Sequence, residues 1–132
     1  MTQELWVLVL AAIWGLIQIL VAAASPMTQK GYWEWNASPR DTPFDLGPVP
    51  ARLRRAYQNY LETFPFIAAL IVVTAIVGHS DTLSQWGAWL YLGARLLYFP
   101  AYGAGTKLRS PCYLVSLVGI GLVAVSVIGS AL

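Results

Sequence analysis

Leu5-Trp6-Val7-Leu8-Val9-Leu10-Ala11-Ala12-Ile13-Trp14-Gly15-Leu16-Ile17-Gln18-Ile19-Leu20-Val21-Ala22-Ala23-Ala24 is a run of twenty residues with one strongly polar member, Gln18. At about 1.5 Å per residue a helix of that length reaches about 30 Å, one hydrocarbon thickness. A signal peptide would carry a basic n-region and a shorter apolar stretch, so the run reads as a retained membrane span. The rest of the chain agrees. Of its 132 residues 58% are hydrophobic and 11% charged, against roughly 25% charged in soluble domains. Mean hydropathy is +0.61. A soluble domain this small could not hide so much apolar surface.

Composition excludes a disordered chain, a coiled coil and a disulfide scaffold. A net charge of +2 argues against a nucleic-acid partner, and the basic residues cluster at span borders. Cys112 is the only cysteine and His79 the only histidine, so neither an intrachain disulfide nor a His/Cys metal site is expected. The carboxylates Glu4, Glu34, Asp41, Asp45, Glu62 and Asp81 are scattered.

Hydropathy and breakers predict one all-α membrane domain, a bundle of four transmembrane helices at about 5–24, 51–77, 82–102 and 112–131. Residues 25–50 hold five prolines and five charges and read as a surface loop, with Tyr32, Trp33 and Trp35 as an interfacial aromatic belt. A proline near position 50 suits the first turn of span two, and Gly78 suits its end. The 103–111 loop carries Lys107 and Arg109. Gly119, Gly121 and Ser126 in span four suit close helix packing. Both loops fall on one side with seven basic side chains, and the other side has none. The positive-inside rule therefore predicts cytoplasmic loops and both termini outside the cytoplasm.

Ionisable groups at membrane depth are costly and usually face the bundle interior. In span two, Arg52, Arg55, Asn59 and Glu62 are spaced 3, 4 and 3. At about 100° per residue they share an arc of about 80°. In span three, Tyr91, Arg95, Tyr98 and Tyr102 share a face by the same arithmetic. Two such stripes are expected to face one cavity. Intrahelical bonds and an Arg95–Glu62 pair could satisfy these groups without a ligand. Several arginines against one acid, however, leave surplus positive charge, which asks for an anion. A bare phosphate has no use for Glu62. A zwitterion with extra carboxylates fits better, since arginine forks take carboxylates and Glu62 accepts from an ammonium. Glutathione has that inventory, as do other acidic zwitterions.

The stretch Arg55-Ala56-Tyr57-Gln58-Asn59-Tyr60-Leu61-Glu62-Thr63-Phe64-Pro65-Phe66 resembles the RAxxNxxExxP signature of the MAPEG superfamily, membrane-associated proteins in eicosanoid and glutathione metabolism. Ala94-Arg95-Leu96-Leu97-Tyr98-Phe99-Pro100-Ala101-Tyr102, followed by Lys107-Leu108-Arg109, is similar to the superfamily's third helix and following loop. The resemblance, to a bacterial-type member, covers essentially the whole chain. It implies a homotrimer with glutathione as co-substrate between neighbouring subunits, open to the cytoplasm, and an inner-membrane location. It implies that Arg55, Asn59 and Glu62 contact glutathione with Arg52 nearby, joined by Arg95, Tyr98 and Tyr102. It makes Arg109, seven residues after Tyr102, the candidate catalytic group.

The implied chemistry is thiol activation. The thiolate is the reactive form, and a guanidinium beside it lowers the thiol pKa. Arg109 could equally be a positive-inside anchor. A lipophilic small molecule would arrive from membrane lipid and undergo addition, substitution or peroxide reduction, a detoxification role. The expected function is thus a glutathione transferase or peroxidase. Two others compete: a non-catalytic trimeric glutathione- or anion-binding membrane protein, and a small four-span exporter built on Glu62, whose arginine neighbours would repel cations. Pro65 and Pro100 read as packing kinks, His79 as a solvated loop residue, Gln18 as helix-contact glue, and Tyr113 and the tryptophans as belt residues.

Overall fold

A computed structural model describes all 132 residues as helices joined by short segments. Helix α1 is Gln3–Ala24, α2 is Tyr32–Ala37, α3 is Pro48–Val77, α4 is Thr82–Gly103 and α5 is Arg109–Ala131. Local chemistry explains the boundaries. The Thr2 hydroxyl accepts from the Leu5 amide and caps α1. Pro48 occupies the first position of α3, three residues before the expected start, where its missing N–H costs nothing. Gly78 ends α3 with φ 70°, and the His79 amide reaches back to the Thr74 carbonyl. Asp81 and Ser84 form a reciprocal capping box at the start of α4.

Helix α1 also starts two residues before the expected position, and three further features differ from the sequence reading. The 25–50 segment contains α2, whose Tyr32 is buried against Trp35 and Phe44 instead of lying in a lipid belt. Trp35 donates to the Thr42 carbonyl at 2.6 Å, knitting the segment together. Helix α4 runs one residue further, to Gly103. Helix α5 starts at Arg109 and not at Cys112, so Arg109 stands on a helical first turn.

The four long helices form a bundle. Helices α3 and α4 pack on each other, and α1 and α5 each pack on both without touching one another. The main core gathers Val7 and Ala11 of α1, Tyr60, Ile67 and Ile71 of α3, Ala88, Tyr91 and Leu92 of α4, and Val123 of α5. A second cluster of Leu53, Ala56, Tyr98 and Phe99 lies toward the start of α3. Helices α4 and α5 touch backbone to backbone at Gly87 and Gly119. Gly121, by contrast, faces open space.

The bundle buries polar side chains beside its apolar core and turns large apolar ones outward. Glu4, Gln18, Thr63, Ser84, Arg95, Ser116 and Ser126 are buried, while Leu16, Leu20, Phe66, Ile76, Leu97, Val125 and Ile128 are exposed. That inversion suits lipid as the surrounding solvent. Helices α1, α3 and α5 are long and apolar enough to cross a membrane. Helix α4 lies between them, and its inward tyrosines, serine and arginine lower its mean hydropathy.

Candidate functional site

Helix α3 begins, α4 ends and α5 begins at one end of the bundle, and the arginines and tyrosines named from the sequence gather there. Arg95 lies deepest. It is 1% exposed, within the α4 face that also buries Tyr91 and Tyr98. Its Nη1 donates to Asn59 Oδ1 at 2.8 Å. Its Nε and Nη2 have no partner. Around the guanidinium stand the rings of Tyr98 at 4.6 Å, Tyr113 at 5.4 Å and Tyr91 at 5.9 Å. Tyrosine faces offer a cation quadrupole attraction but no compensating charge. From α1, the Trp14 indole donates to the Arg95 carbonyl at 3.2 Å.

Toward the bundle end, Tyr98 meets Tyr102 edge-on at 5.7 Å. Two further guanidiniums converge on Tyr102. Arg55 Nε donates to its hydroxyl at 3.1 Å, with the guanidinium carbon 5.8 Å from the ring centroid. Arg109 stacks over the same ring at 4.6 Å. Arg52 Nη1 donates to the Gly103 carbonyl at 3.4 Å, and its guanidinium lies against Gly105. None of these four arginines has a carboxylate partner, because the only ion pair in the molecule is His79–Asp81. The Arg95–Glu62 pair considered from sequence does not form, and Asn59 bonds to Arg95, not along its own helix.

Glu62 stands apart from the arginines. It is exposed and lines a groove of about 480 Å³ between α3 and α5, with Phe66, Leu70, Tyr113, Leu117 and Ile120. Thr63, beside it, bonds the Tyr91 hydroxyl at 3.0 Å. The structure therefore joins Arg55, Asn59, Arg95, Tyr98, Tyr102 and Arg109 in one chain of contacts, puts Arg52 at its edge, and opens Glu62 to an apolar groove. The belt reading of Tyr113 is corrected: its ring stands against Arg95 and lines the groove. A signal was present, since Arg109, Tyr113 and Ser116 follow the 4 and 3 spacing of one helix face.

The opposite end holds a second polar cluster. Buried Glu4 accepts from Ser80 Oγ at 2.9 and 3.0 Å and from Ser84 Oγ. Asp81 accepts from the Ser84 amide at 2.8 Å and the Ser126 hydroxyl at 2.8 Å, with His79 Nε2 at 3.0 Å. His79 is thus no freely solvated residue, as it also meets Ser126 at 3.1 Å. These bonds hold the Asp81 carboxyl down at about 2, chiefly the Ser84 amide and then Ser126. Gln18 is buried with its Nε2 unpartnered, so it makes no helix-to-helix bond through that atom.

The arginine end can bind an anion with several acceptor oxygens, and the groove beside Glu62 can take an apolar chain. No grouping of His, Cys, Asp and Glu could hold a metal ion. No curated protein has a sequence that matches this chain. The sequence model of the MAPEG family matches residues 4–129, nearly the whole length, and the chain belongs to that family.

Proposed function

We propose that this protein is a membrane-embedded, glutathione-dependent transferase or peroxidase that works as a homotrimer, with α4 as a fourth span and the arginine end toward the cytoplasm. The observation that carries the reading is Arg95, a buried guanidinium with two unpartnered nitrogens and no carboxylate within reach. A permanent charge in a dry interior needs a counter-ion, and leaving it bare is strongly unfavourable. Glutathione supplies two carboxylates and an ammonium. Arg95, Arg55 and Arg52 take the carboxylates, Asn59, Tyr98 and Tyr102 orient them, and Glu62 takes the ammonium.

Arg109 is the thiol-activating group. It stands on the first turn of α5, exposed at the mouth, with its guanidinium carbon 4.6 Å from the Tyr102 ring centroid. A guanidinium there favours the thiolate over the thiol and raises the reactive fraction at neutral pH. The apolar groove at Phe66, Leu117 and Ile120 gives a lipophilic electrophile a path from the bilayer. With an electrophile, sulfur forms the new bond and the leaving group departs with its electron pair. With a hydroperoxide, two thiols become a disulfide while the O–O bond is reduced to alcohol and water.

The test is calorimetric titration of the detergent-solubilised protein with glutathione, paired with turnover of a generic aryl halide and a lipid hydroperoxide. Binding together with turnover that falls at least tenfold in Arg109→Ala supports the reading. Absence of binding overturns it. Binding without turnover of either class leaves a binding protein in its place.

A further inference from the structure

Helix α1 holds α4 by two polar contacts that lie inside the protomer and do not depend on what surrounds it. At the far end, the fully buried Glu4 carboxylate accepts from Ser84 of α4 and from Ser80 in the turn before it. Ten residues further along α1, the Trp14 indole donates to the Arg95 carbonyl at 3.2 Å. Ser84 and Arg95 are eleven residues apart. At about 1.5 Å per residue the two spacings are about 15 and 16.5 Å, so the parallel helices make both contacts in one axial register only.

The two contacts differ in kind. Glu4 has no cation beside it, since the molecule's single ion pair is His79–Asp81. Its charge is met by hydroxyls alone, and a slide of α4 would strand a bare carboxylate in the interior, a strongly unfavourable state. Trp14 acts where α4 is weakest. Pro100 lies within the helix and has no N–H for the carbonyl of Leu96, the residue next to Arg95. A carbonyl oxygen has two lone pairs, so the indole bond at Arg95 adds to what the helix itself supplies. The indole also meets Phe99 edge-on at 5.9 Å, which braces the following turn.

We infer that Glu4 and Trp14 are positioning residues, a two-point clamp by which α1 sets the axial place of α4 and so the depth of the Arg95 guanidinium. Arg95 bonds one side chain, Asn59, and keeps two unpartnered nitrogens, so its own contacts hold it loosely. Binding groups need a supporting shell that holds them to within about 0.5 Å, and α1 supplies it here. The effect on ligand binding rests on the glutathione reading; the placement of the side chain does not.

The test follows the Arg95 Nε–H by NMR of the full-length protein in detergent, isotope-labelled on its arginine nitrogens. Arg95 is the only buried arginine, so its Nε–H is the slowest of the arginine signals to exchange with water. Trp14→Phe keeps a ring against Phe99 and removes the donor, and is expected to speed that exchange about fivefold, the scale of one hydrogen bond. Glu4→Ala is expected to do the same, and Glu4→Gln, which leaves Ser84 an acceptor, is expected to restore the wild-type rate. Val7→Ala truncates a core residue of α1 that makes no polar contact with α4, and is expected to lower the melting temperature without changing the exchange. Glutathione affinity is expected to fall about fivefold in Trp14→Phe and Glu4→Ala and to hold in the other two. Unchanged exchange in Trp14→Phe and Glu4→Ala overturns the clamp. So does equal acceleration by Val7→Ala, which would make the effect one of general loosening. Faster exchange with unaltered glutathione affinity overturns the positioning role. Faster exchange in a protein whose wild type binds no glutathione keeps the clamp and removes the glutathione reading.

Discussion

Arg95 of α4 and Asn59 of α3 are joined by a 2.8 Å hydrogen bond that is the only one the buried guanidinium makes to another side chain. An amide oxygen carries no net charge, so the bond orients the cation without cancelling it. Two substitutions separate those roles. Asn59→Ala removes the acceptor and is expected to cost about 1.5–3 kcal/mol, the range for hydrogen bonds to charged groups. Asn59→Asp replaces the amide with a carboxylate, which neutralises Arg95 in place. Melting in detergent should put the Ala variant below wild type and the Asp variant at or above it. Calorimetry should show the Asp variant binding glutathione at least tenfold more weakly. An Asp variant that binds as well as wild type would mean Arg95 does not anchor the anion.

Tyr102 serves as a spacer between two like charges. Arg55 approaches its hydroxyl and Arg109 its ring face. Each cation–π contact at a partly exposed site contributes about 0.5–1 kcal/mol. Tyr102→Phe keeps the ring and loses the acceptor, while Tyr102→Leu loses both. Glutathione affinity is expected to fall a few-fold in the first and about tenfold in the second, on that cation–π scale. Melting temperature should barely move in either, since Tyr102 is half-exposed. Equal affinities in all three proteins would show that the ring does not pre-position the arginines.

Much of this arrangement could be read before the fold was known. Hydropathy and helix breakers together mark four helical segments, three of them apolar enough to cross a membrane, and the 3–4–3 and 4–3–4 spacings put the arginines and tyrosines on single faces. What escaped has physical reasons. An 80° arc is wide enough for its edge residue to meet a different neighbour, and Glu62 turns to the α5 groove while Asn59 turns to Arg95. Tyr113 sits near a span border, where a belt aromatic and a cavity aromatic look alike in sequence. Glu4 depends on Ser80 and Ser84, more than seventy residues away, and no local pattern announces that meeting. Arg109 falls in the 103–111 loop of the sequence reading, yet it opens α5, because Pro111 lies in that helix's first turn, where a proline breaks nothing.

The Gly87–Gly119 crossing gives a packing prediction with its own control. A Cβ on Gly119 would lie 2.6 Å from the Gly87 carbonyl oxygen and 2.7 Å from the Tyr91 amide nitrogen. Both are backbone atoms in helices, so the clash can be relieved only by moving α5 away from α4. Gly119→Ala is expected to destabilise by about 1–3 kcal/mol, as overpacking does. Gly121→Ala meets nothing within 4 Å inside the protomer and gains helix propensity. Thermal melting should therefore rank Gly121→Ala at or above wild type and Gly119→Ala clearly below. The reverse order would mean the α4–α5 contact is looser than the structure has it.

The polar cluster at the other end predicts a pH dependence. Asp81 caps α4 through the Ser84 amide and accepts from Ser126 of α5, and these bonds lower its carboxyl from the ordinary 3.8 to about 2. The folded-state value lies below the unfolded one, so the carboxylate's contribution is fully present above about pH 4 and is lost as pH falls through about 2. At neutral pH, Asp81→Ala should cost about 1 kcal/mol as a lost helix cap, and more if the α5 tie through Ser126 is counted. The side chain is 41% exposed, so solvent screening keeps the ionic part small and the directed hydrogen bonds supply most of the effect. Melting of wild type and variant at pH 7 and near pH 2 is the measurement. The gap between them should narrow at the acid end, because a protonated Asp81 is a poorer acceptor. A gap that stays constant from pH 7 to pH 2 would show that the cap acts through shape and not through its charge.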